Sequence, residues 1–515
     1  MNQLESDKKN TKKAPCIAVF GTGSDVGKSI IVTAMCRFFL NRGIRTAPFK
    51  AQNMSNNSGV TPEGLEMGRA QIVQAEACRI PPHTDMNPIL LKPTTDVGCQ
   101  VVVQGQAVEN STALNYHGKK EKLFSTACES LDRLRSRYDL LVMEGAGSCA
   151  EVNLMAHDIV NFRMAEYADA PVILVADIHR GGVFAQLVGT LECLEPKHRD
   201  RIAGFVINRF RGDIRLFQDG VKWIEQKTGK RVFGVIPWYR HIRIEAEDSV
   251  VIESRPVISP EKIVRPSIAV IRIPHISNFT DFDPLSAIRG LDLFFLEKVQ
   301  NISAFAAVIL PGSKNTRFDL EWLKQSGWAE KLRDYAAKGG HILGICGGYQ
   351  IMGNYVHDPQ GLEGPRGSGK GLGLLPVETT LQAPKTTSCS RFLWKGVEGT
   401  GYEIHMGQTL RTGGEALFAV LEQNGMVPQN REDGCAAEDG RMMGTYMHGL
   451  FDMPGITRLW LESIGLGNLA VSDMQSGLGA RDREYDLLAE HFETYADADA
   501  VFHFAVKLSN PACCT

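Results

Sequence analysis

The strongest chemical signal in the chain is a cysteine followed, well downstream, by a histidine. Cys346 stands in HILGICGGYQIMG, between an apolar run that reads as a strand and a segment that reads as a helix. A thiol on such a sharp turn is exposed as a nucleophile elbow, and the helix N-terminus favours its thiolate. Gly344, Gly347 and Gly348 flank it, and each costs backbone entropy that mere packing does not require. The bland alternative is a buried packing cysteine. A nucleophilic thiol needs a base, and His448 in GTYMHGLFD follows a short β-like run among small residues. Cysteine then histidine within one α/β region is the order found in glutamine-hydrolysing domains.

A second chemistry lies near the start. The segment IAVFGTGSDVGKS passes from an apolar strand through a glycine-rich turn into a helix, the context of a phosphate-binding loop. Gly21, Thr22, Gly23, Asp25, Val26 and Gly27 form the turn, Lys28 supplies a cation for the outer phosphates, and Ser29 is placed to ligate magnesium. The loop is a variant: Thr22 fills the usual first-glycine slot, so five residues rather than four separate Gly21 from Gly27. Glu144 ends the apolar run LLVME and Asp177 ends VILVAD, and both are expected as magnesium ligands, with helix capping the alternative for Asp177. Arg209 and Arg211, in NRFRGDIR after another strand, are expected either to grip substrate carboxylates or to form a solvated loop. Gln52, Asn53 and Asn56 in QNMSNN offer amide donors for a polar substrate; the plainer reading is a loop with Asn turns.

These groups require two sheets to hold them. Short β-rich runs alternate with helical patterns from Ala14 to about residue 240 and again from Ser267, which predicts an α/β fold with two doubly wound parallel-sheet domains. The boundaries read as 14–240 for the first domain, 241–266 for a charged, proline-bearing linker, 267–460 for the second domain and 461–515 for a helical extension ending in a frayed tail. At roughly 100 to 200 residues per domain, 515 residues exclude a single small module. The 56 Lys and Arg against 59 Asp and Glu give a net charge of −3 and no case for bulk nucleic-acid binding. No apolar run is long enough to cross a bilayer and the start lacks a signal-peptide core, so a cytoplasmic location without membrane contact is expected. Twelve cysteines, single except for Cys513 and Cys514, fit reduced thiols. The sequence says nothing of oligomeric state.

The strings PFKAQNMSNNS, EMGRAQ, MNPILLKP, IPHISNFTDFDPL, PGSKNT, GICGGYQIMG and YEIHMG closely resemble the cobyric acid synthase family of cobalamin biosynthesis, over nearly the whole chain. The resemblance implies a dethiobiotin-synthetase-like P-loop NTPase domain followed by a class I glutamine amidotransferase domain. It implies Cys346 as glutaminase nucleophile and His448 as its base, with an oxyanion hole at Gly312 and Gly347. Class I domains usually carry a glutamate two residues after the histidine, whereas Leu450 stands there and the nearest carboxylate downstream is Asp452. The family variant therefore implies a Cys–His dyad. It further implies ATP and Mg2+ as cofactors, and L-glutamine and adenosylcobyrinic acid a,c-diamide as substrates, with the b, d, e and g carboxylates amidated in turn through acyl phosphates. The alternatives are a cobyrinate a,c-diamide synthase or another polycarboxylate amidoligase, and a P-loop regulatory ATPase with a degenerate glutaminase domain.

Overall fold

The computed structural model describes residues 13–95, 98–112, 118–239, 265–471 and 478–509. The first sheet grows from β1 (Cys16–Gly21), whose alternation sends Cys16, Ala18 and Phe20 into one buried cluster and Ile17 and Val19 into another on the opposite face. A strand apolar on both faces belongs in the middle of a covered parallel sheet. β1 is followed by α1 (Lys28–Asn41), then β2 (Thr46–Phe49), β3 (Gln52–Met54), β4 (Ser58–Val60), β5 (Glu66–Gly68) and α2 (Arg69–Ala77). Further on come β6 (Ile89–Thr95), β7 (Gly98–Val103), β8 (Gln106–Thr112), β9 (Leu140–Glu144), β10 (Val172–Asp177), β11 (Ile202–Phe210) and β12 (Arg231–Pro237). The main sheet has the order β12-β11-β10-β1-β9-β2 and is parallel throughout. β3, β6, β7 and β8 form a separate sheet, and β4 pairs with β5. The polar string at Gln52 is thus partly a strand rather than only a loop.

The second half begins at β13 (Ser267–Ile271) and continues with β14 (Ile276–Ser277), β15 (Asp292–Leu296), β16 (Ala307–Leu310), β17 (Gly312–Ser313) and α3 (Thr316–Ser326). Next are β18 (His341–Ile345), α4 (Gly347–Met352), β19 (Thr386–Trp394), β20 (Val397–His405), β21 (Phe418–Gln423), β22 (Glu432–Asp433), β23 (Cys435–Ala436) and β24 (Met442–Thr445). The sheet order is β15-β13-β16-β18-β24-β23, parallel except where β23 meets β24. β20, β19, β21 and β22 form a smaller antiparallel sheet beside it, which the α/β rhythm of the sequence did not announce.

Two helices end the described chain, α5 (Leu478–Tyr495) and α6 (Ala498–Ser509). They pack on the first sheet's side of the molecule: Tyr485, Leu488, Phe492 and Val501 share a cluster with Ile31, Met35 and Phe38 of α1. Arg37, wholly buried on α1, is ion-paired with Asp482, which Arg79 also holds at 2.7 Å. The chain therefore returns to its N-terminal half after completing the second sheet. The expected linker falls almost entirely, and the expected frayed tail wholly, outside the described residues. Among the described residues no helix is long and apolar enough to cross a membrane.

Candidate active sites

Three adjacent parallel strands, β16, β18 and β24, deliver the groups of one site at their C-terminal ends, where doubly wound sheets bind ligands. β18 leads directly into Cys346, whose backbone has φ 52° and ψ −108°, a conformation that a residue other than glycine adopts only under strain. Its amide donates to Thr445 O of β24 at 2.8 Å, so the elbow is pinned to the strand that leads to His448. The thiol sits 3.4 Å from Ile404 O. Gly312 follows β16, and a Cβ there would lie 2.9 Å from Ser277 Oγ and 3.3 Å from His448 Cε1, so a side chain would crowd both the serine and the imidazole. Gly347 abuts Ser313 equally closely.

His448 is buried and held from two directions. Its main chain exchanges hydrogen bonds with Tyr402 of β20 at 2.8 and 3.2 Å, and the Tyr402 ring stacks on the imidazole with centroids 5.2 Å apart. Its Nδ1 lies 2.6 Å from Asp281 Oδ2, while Asp281 Oδ1 accepts from Gly449 N at 3.0 Å. The expected dyad is thus corrected: a carboxylate does orient the histidine, from 167 positions earlier rather than two positions later. Burial alone would lower the imidazole, but the Asp281 carboxylate, helped by the Cys346 sulfur in its thiolate form, pushes it up to about 10. Asp281 lies in the turn Phe279–Phe282, just after Asn278, whose φ of 51° starts that turn. Asn278 also reaches across to the first half of the chain: its Oδ1 accepts from Ser58 N at 3.1 Å and its Nδ2 donates to Tyr402 Oη at 3.2 Å.

The other site lies at the C-terminal ends of β1, β9, β10 and β11. α1 starts at Lys28 with Gly27 before it and no side-chain cap, which leaves the first N–H groups of the helix for a ligand. Gly27 has φ 92°, and a Cβ there would strike Asn208 Nδ2, which itself donates to Val26 O at 3.0 Å and clasps the turn. Lys28 Nζ spans the loop, donating to Gly23 O and Gly147 O, each at 2.9 Å. Asp25, Gly27, Lys28, Ser29, Gln52 and Asn53 all line one cavity of about 970 Å³. Of the other loop residues, Gly21 ends β1, Val26 is buried beside it, and the Thr22 hydroxyl donates to Gln186 Oε1 at 3.3 Å.

Glu144 ends β9 behind the cavity wall, bonded to the lining residues Ser29 and Lys50, and is more heavily committed than its sequence position suggests. Its Oε1 accepts from Ser29 Oγ and from Lys50 Nζ, both at 2.8 Å, and its Oε2 accepts from Gln74 Nε2 at 2.5 Å. Lys50 and Gln74 escaped the sequence reading because only the fold joins them to Glu144. Of the expected magnesium ligands, Ser29 lines the cavity and its hydroxyl donates to Glu144 just behind it, so this pair would stand nearest a magnesium ion, which takes few protein ligands and completes its shell with phosphate and water. Asp177 departs from that expectation: its carboxylate accepts from His179 N at 2.7 Å and from Arg209 at 2.9 Å, so it serves the turn and the arginine. Arg209 in turn grips Asp25 at 2.9 Å, a carboxylate of the protein itself, and Arg211 lies over the Trp238 ring at 4.2 Å. Arg209 lines the cavity, whereas Arg211 and Asn56 do not; the Asn56 side-chain oxygen is buried without a hydrogen-bond partner among the described residues.

Comparison with known proteins agrees with this division. Residues 17–251 match the CobQ/CobB/MinD/ParA nucleotide binding domain, and residues 267–455 match the CobB/CobQ-like glutamine amidotransferase domain. A cobyric acid synthase of Chlorobium phaeobacteroides (strain BS1) is 51% identical over 496 residues, covering 94% of this chain and 98% of that protein. One of Chlorobaculum tepidum is 49% identical over 498 residues, covering 95% and 97%. One of Syntrophobacter fumaroxidans is 44% identical over 505 residues, covering 95% and 98%.

Proposed function

The chain belongs to the cobyric acid synthases, glutamine amidotransferase-type ligases with a nucleotide-binding domain, and from that premise we propose how its two sites share the work. The Cys346 thiolate adds to the glutamine carboxamide carbon, and N–H groups near Gly312 and Gly347 receive the developing oxyanion. The imidazolium of His448 protonates the departing nitrogen, releasing ammonia and leaving a thioester. Water, with His448 as base, then hydrolyses that thioester to glutamate. The observation that carries this reading is the single buried arrangement of the Cys346 elbow, the side-chain-free turn at Gly312, and His448 fixed by Asp281.

At the other site a carboxylate of adenosylcobyrinic acid a,c-diamide attacks the γ-phosphorus of ATP and ADP departs, giving an acyl phosphate. Ammonia attacks the acyl carbon, phosphate leaves with the C–O electron pair, and a proton is lost as the amide forms. Repeated at the b, d, e and g carboxylates, this yields adenosylcobyric acid. Lys28 and the open N-terminus of α1 receive the phosphate charge, while Gln52 and Asn53 face the acceptor. A magnesium ion held by Ser29 and Glu144 would supply further charge neutralisation. The test is incorporation of amide-labelled ¹⁵N-glutamine into the corrin: a product bearing four labelled amides is expected, and a product bearing none sinks the proposal.

The role of Asp281 gives a sharper prediction. Asp281→Asn removes the charge that raises His448, so the imidazolium is lost at lower pH. Glutaminase kcat should fall roughly 10²-fold or more, as when a buried histidine loses its orienting carboxylate. The alkaline limb of the pH profile should move from near 10 toward the ordinary histidine range, and an unmoved limb would deny Asp281 this role.

A further inference from the structure

Beside the Cys346 thiol lies a second, small cavity of about 30 Å³, room for about one or two water-sized molecules. Cys346 and Gln350 form part of its wall, and the rest includes four charged groups, Lys92, Lys314, Glu363 and Lys385. Lys92 is the wall's one contribution from the first half of the chain among the described residues. It belongs to β6, whose hydrogen-bonded neighbour β3 carries the Gln52, Asn53 and Met54 that line the 970 Å³ cavity. The neighbouring strands β6 and β3 therefore lie between the thiol chamber and the nucleotide-loop chamber, one contributing to each wall.

A desolvated ion triad joins the two halves of the chain at the thiol chamber, two of its members, Lys92 and Lys385, standing in the chamber wall. Glu66 Oε1 accepts from Lys92 Nζ at 2.7 Å and from Ser58 Oγ at 2.9 Å, and its Oε2 accepts from Lys385 Nζ at 2.6 Å. The side chains of Glu66, Lys92 and Lys385 are 1, 4 and 7% exposed. Apolar residues of similar volume would hold such a seam as well or better, so stability alone does not account for three buried charges there. We propose that the Lys92–Glu66–Lys385 triad is the gate by which nitrogen released at Cys346 reaches the first domain as neutral ammonia.

This rests on the reading of Cys346 as the glutaminase nucleophile and adds where its product goes. Lys385 is the movable member. Lys92 and Ser58 come from the same half of the chain as Glu66 and go on holding its Oε1 when Lys385 swings away from Oε2, so the buried anion keeps a countercharge. The chamber also discriminates by charge. Burial, with Lys92 beside it, pulls the Lys314 ammonium down to about 8. Burial pulls Lys385 down to about 7 even against the attraction of Glu66. The same desolvation and the same cationic neighbours act on an ammonium ion in that space, so ammonia there stays unprotonated and nucleophilic. Glu66, which burial alone would raise, is held well below the usual carboxylate range by Lys385 and Lys92 and stays an anion across the working pH.

The experiment uses the full chain with ATP, Mg2+, the corrin acceptor, amide-labelled ¹⁵N-glutamine and unlabelled ammonium in the medium, and counts labelled amides per glutamate formed. The ratio should be near one for the native chain. In Lys385→Met it should drop to about half or less, with labelled ammonia appearing in solution, while glutamine hydrolysis and ammonium-driven amidation stay within about twofold. Lys385→Arg should restore the ratio, and Glu66→Gln should leak as Lys385→Met does. An unchanged ratio in Lys385→Met overturns the gate. Loss of glutamine hydrolysis in that variant also overturns it, since Lys385 would then serve glutamine binding, and so does loss of ammonium-driven amidation, which marks a structural strut. A native chain that forms no glutamate defeats the reading of Cys346 itself, an outcome distinct from a leak.

Discussion

Cys346→Ala should lose glutamine-dependent amidation by roughly 10⁴-fold or more, because no other group can form the thioester, while ammonium-driven amidation stays within about twofold. The sparing follows from the architecture. The phosphate loop, Lys50, Glu144 and the 970 Å³ cavity stand on a different sheet from the thiol. The substitution should not unfold the second sheet either. It removes one sulfur from a site already crowded by glycine contacts, and the elbow remains pinned through the main-chain bond from residue 346 to Thr445 O. Alanine inherits the strained φ of 52° without adding volume. Measured side by side with both nitrogen donors, loss of both activities would contradict the division of labour. Retention of glutamine-dependent synthesis would remove Cys346 from the reaction altogether.

How far each element was legible follows from the range of the interactions that define it. The Cys346 elbow and the phosphate loop are strand–turn–helix units whose signals lie within about a dozen residues, so spacing and glycine placement suffice. Strands β1, β9, β10 and β11, apolar on both faces, were legible for the same reason. Asp281 was not. Its string, NFTDF, stood out only as a family likeness, and nothing local ties it to a histidine 167 positions on. The cross-domain triad was hidden in the same way, since Glu66 and Lys92 stand out only within the family-like strings EMGRAQ and MNPILLKP, and nothing local marks Lys385 until three segments converge. From sequence Asp177 is expected at a metal or a helix cap and Arg209 at a substrate carboxylate or in a solvated loop, yet the fold pairs them with one another. The helical spacing of the last segment was plain, but which sheet it would cover depended on the acidic residues Asp482 and Asp486 finding Arg37.

Lys28→Ala should lower amidation with glutamine and with ammonium alike, by roughly 10²-fold or more, because the proposed acyl phosphate would precede nitrogen transfer from either donor. In the structure Lys28 Nζ bonds two main-chain carbonyls, Gly23 O and Gly147 O, that face each other across the loop. This places the cation where the outer phosphates of a nucleotide seated on the N-terminus of α1 must lie. Those two hydrogen bonds contribute only about 1–3 kcal/mol each as bonds from a charged donor, and the loop keeps its clasp from Asn208 to Val26 O, so the variant should fold. Glutamine hydrolysis measured without nucleotide should persist, since Cys346 and His448 stand on the other sheet and touch none of these groups. The defect should appear both as weaker nucleotide binding and as a lower rate at saturating ATP, because the charge Lys28 meets grows as the phosphoryl group departs. A variant that kept full ammonium-driven synthesis would show that phosphate is activated elsewhere, and the large cavity would then need another occupant.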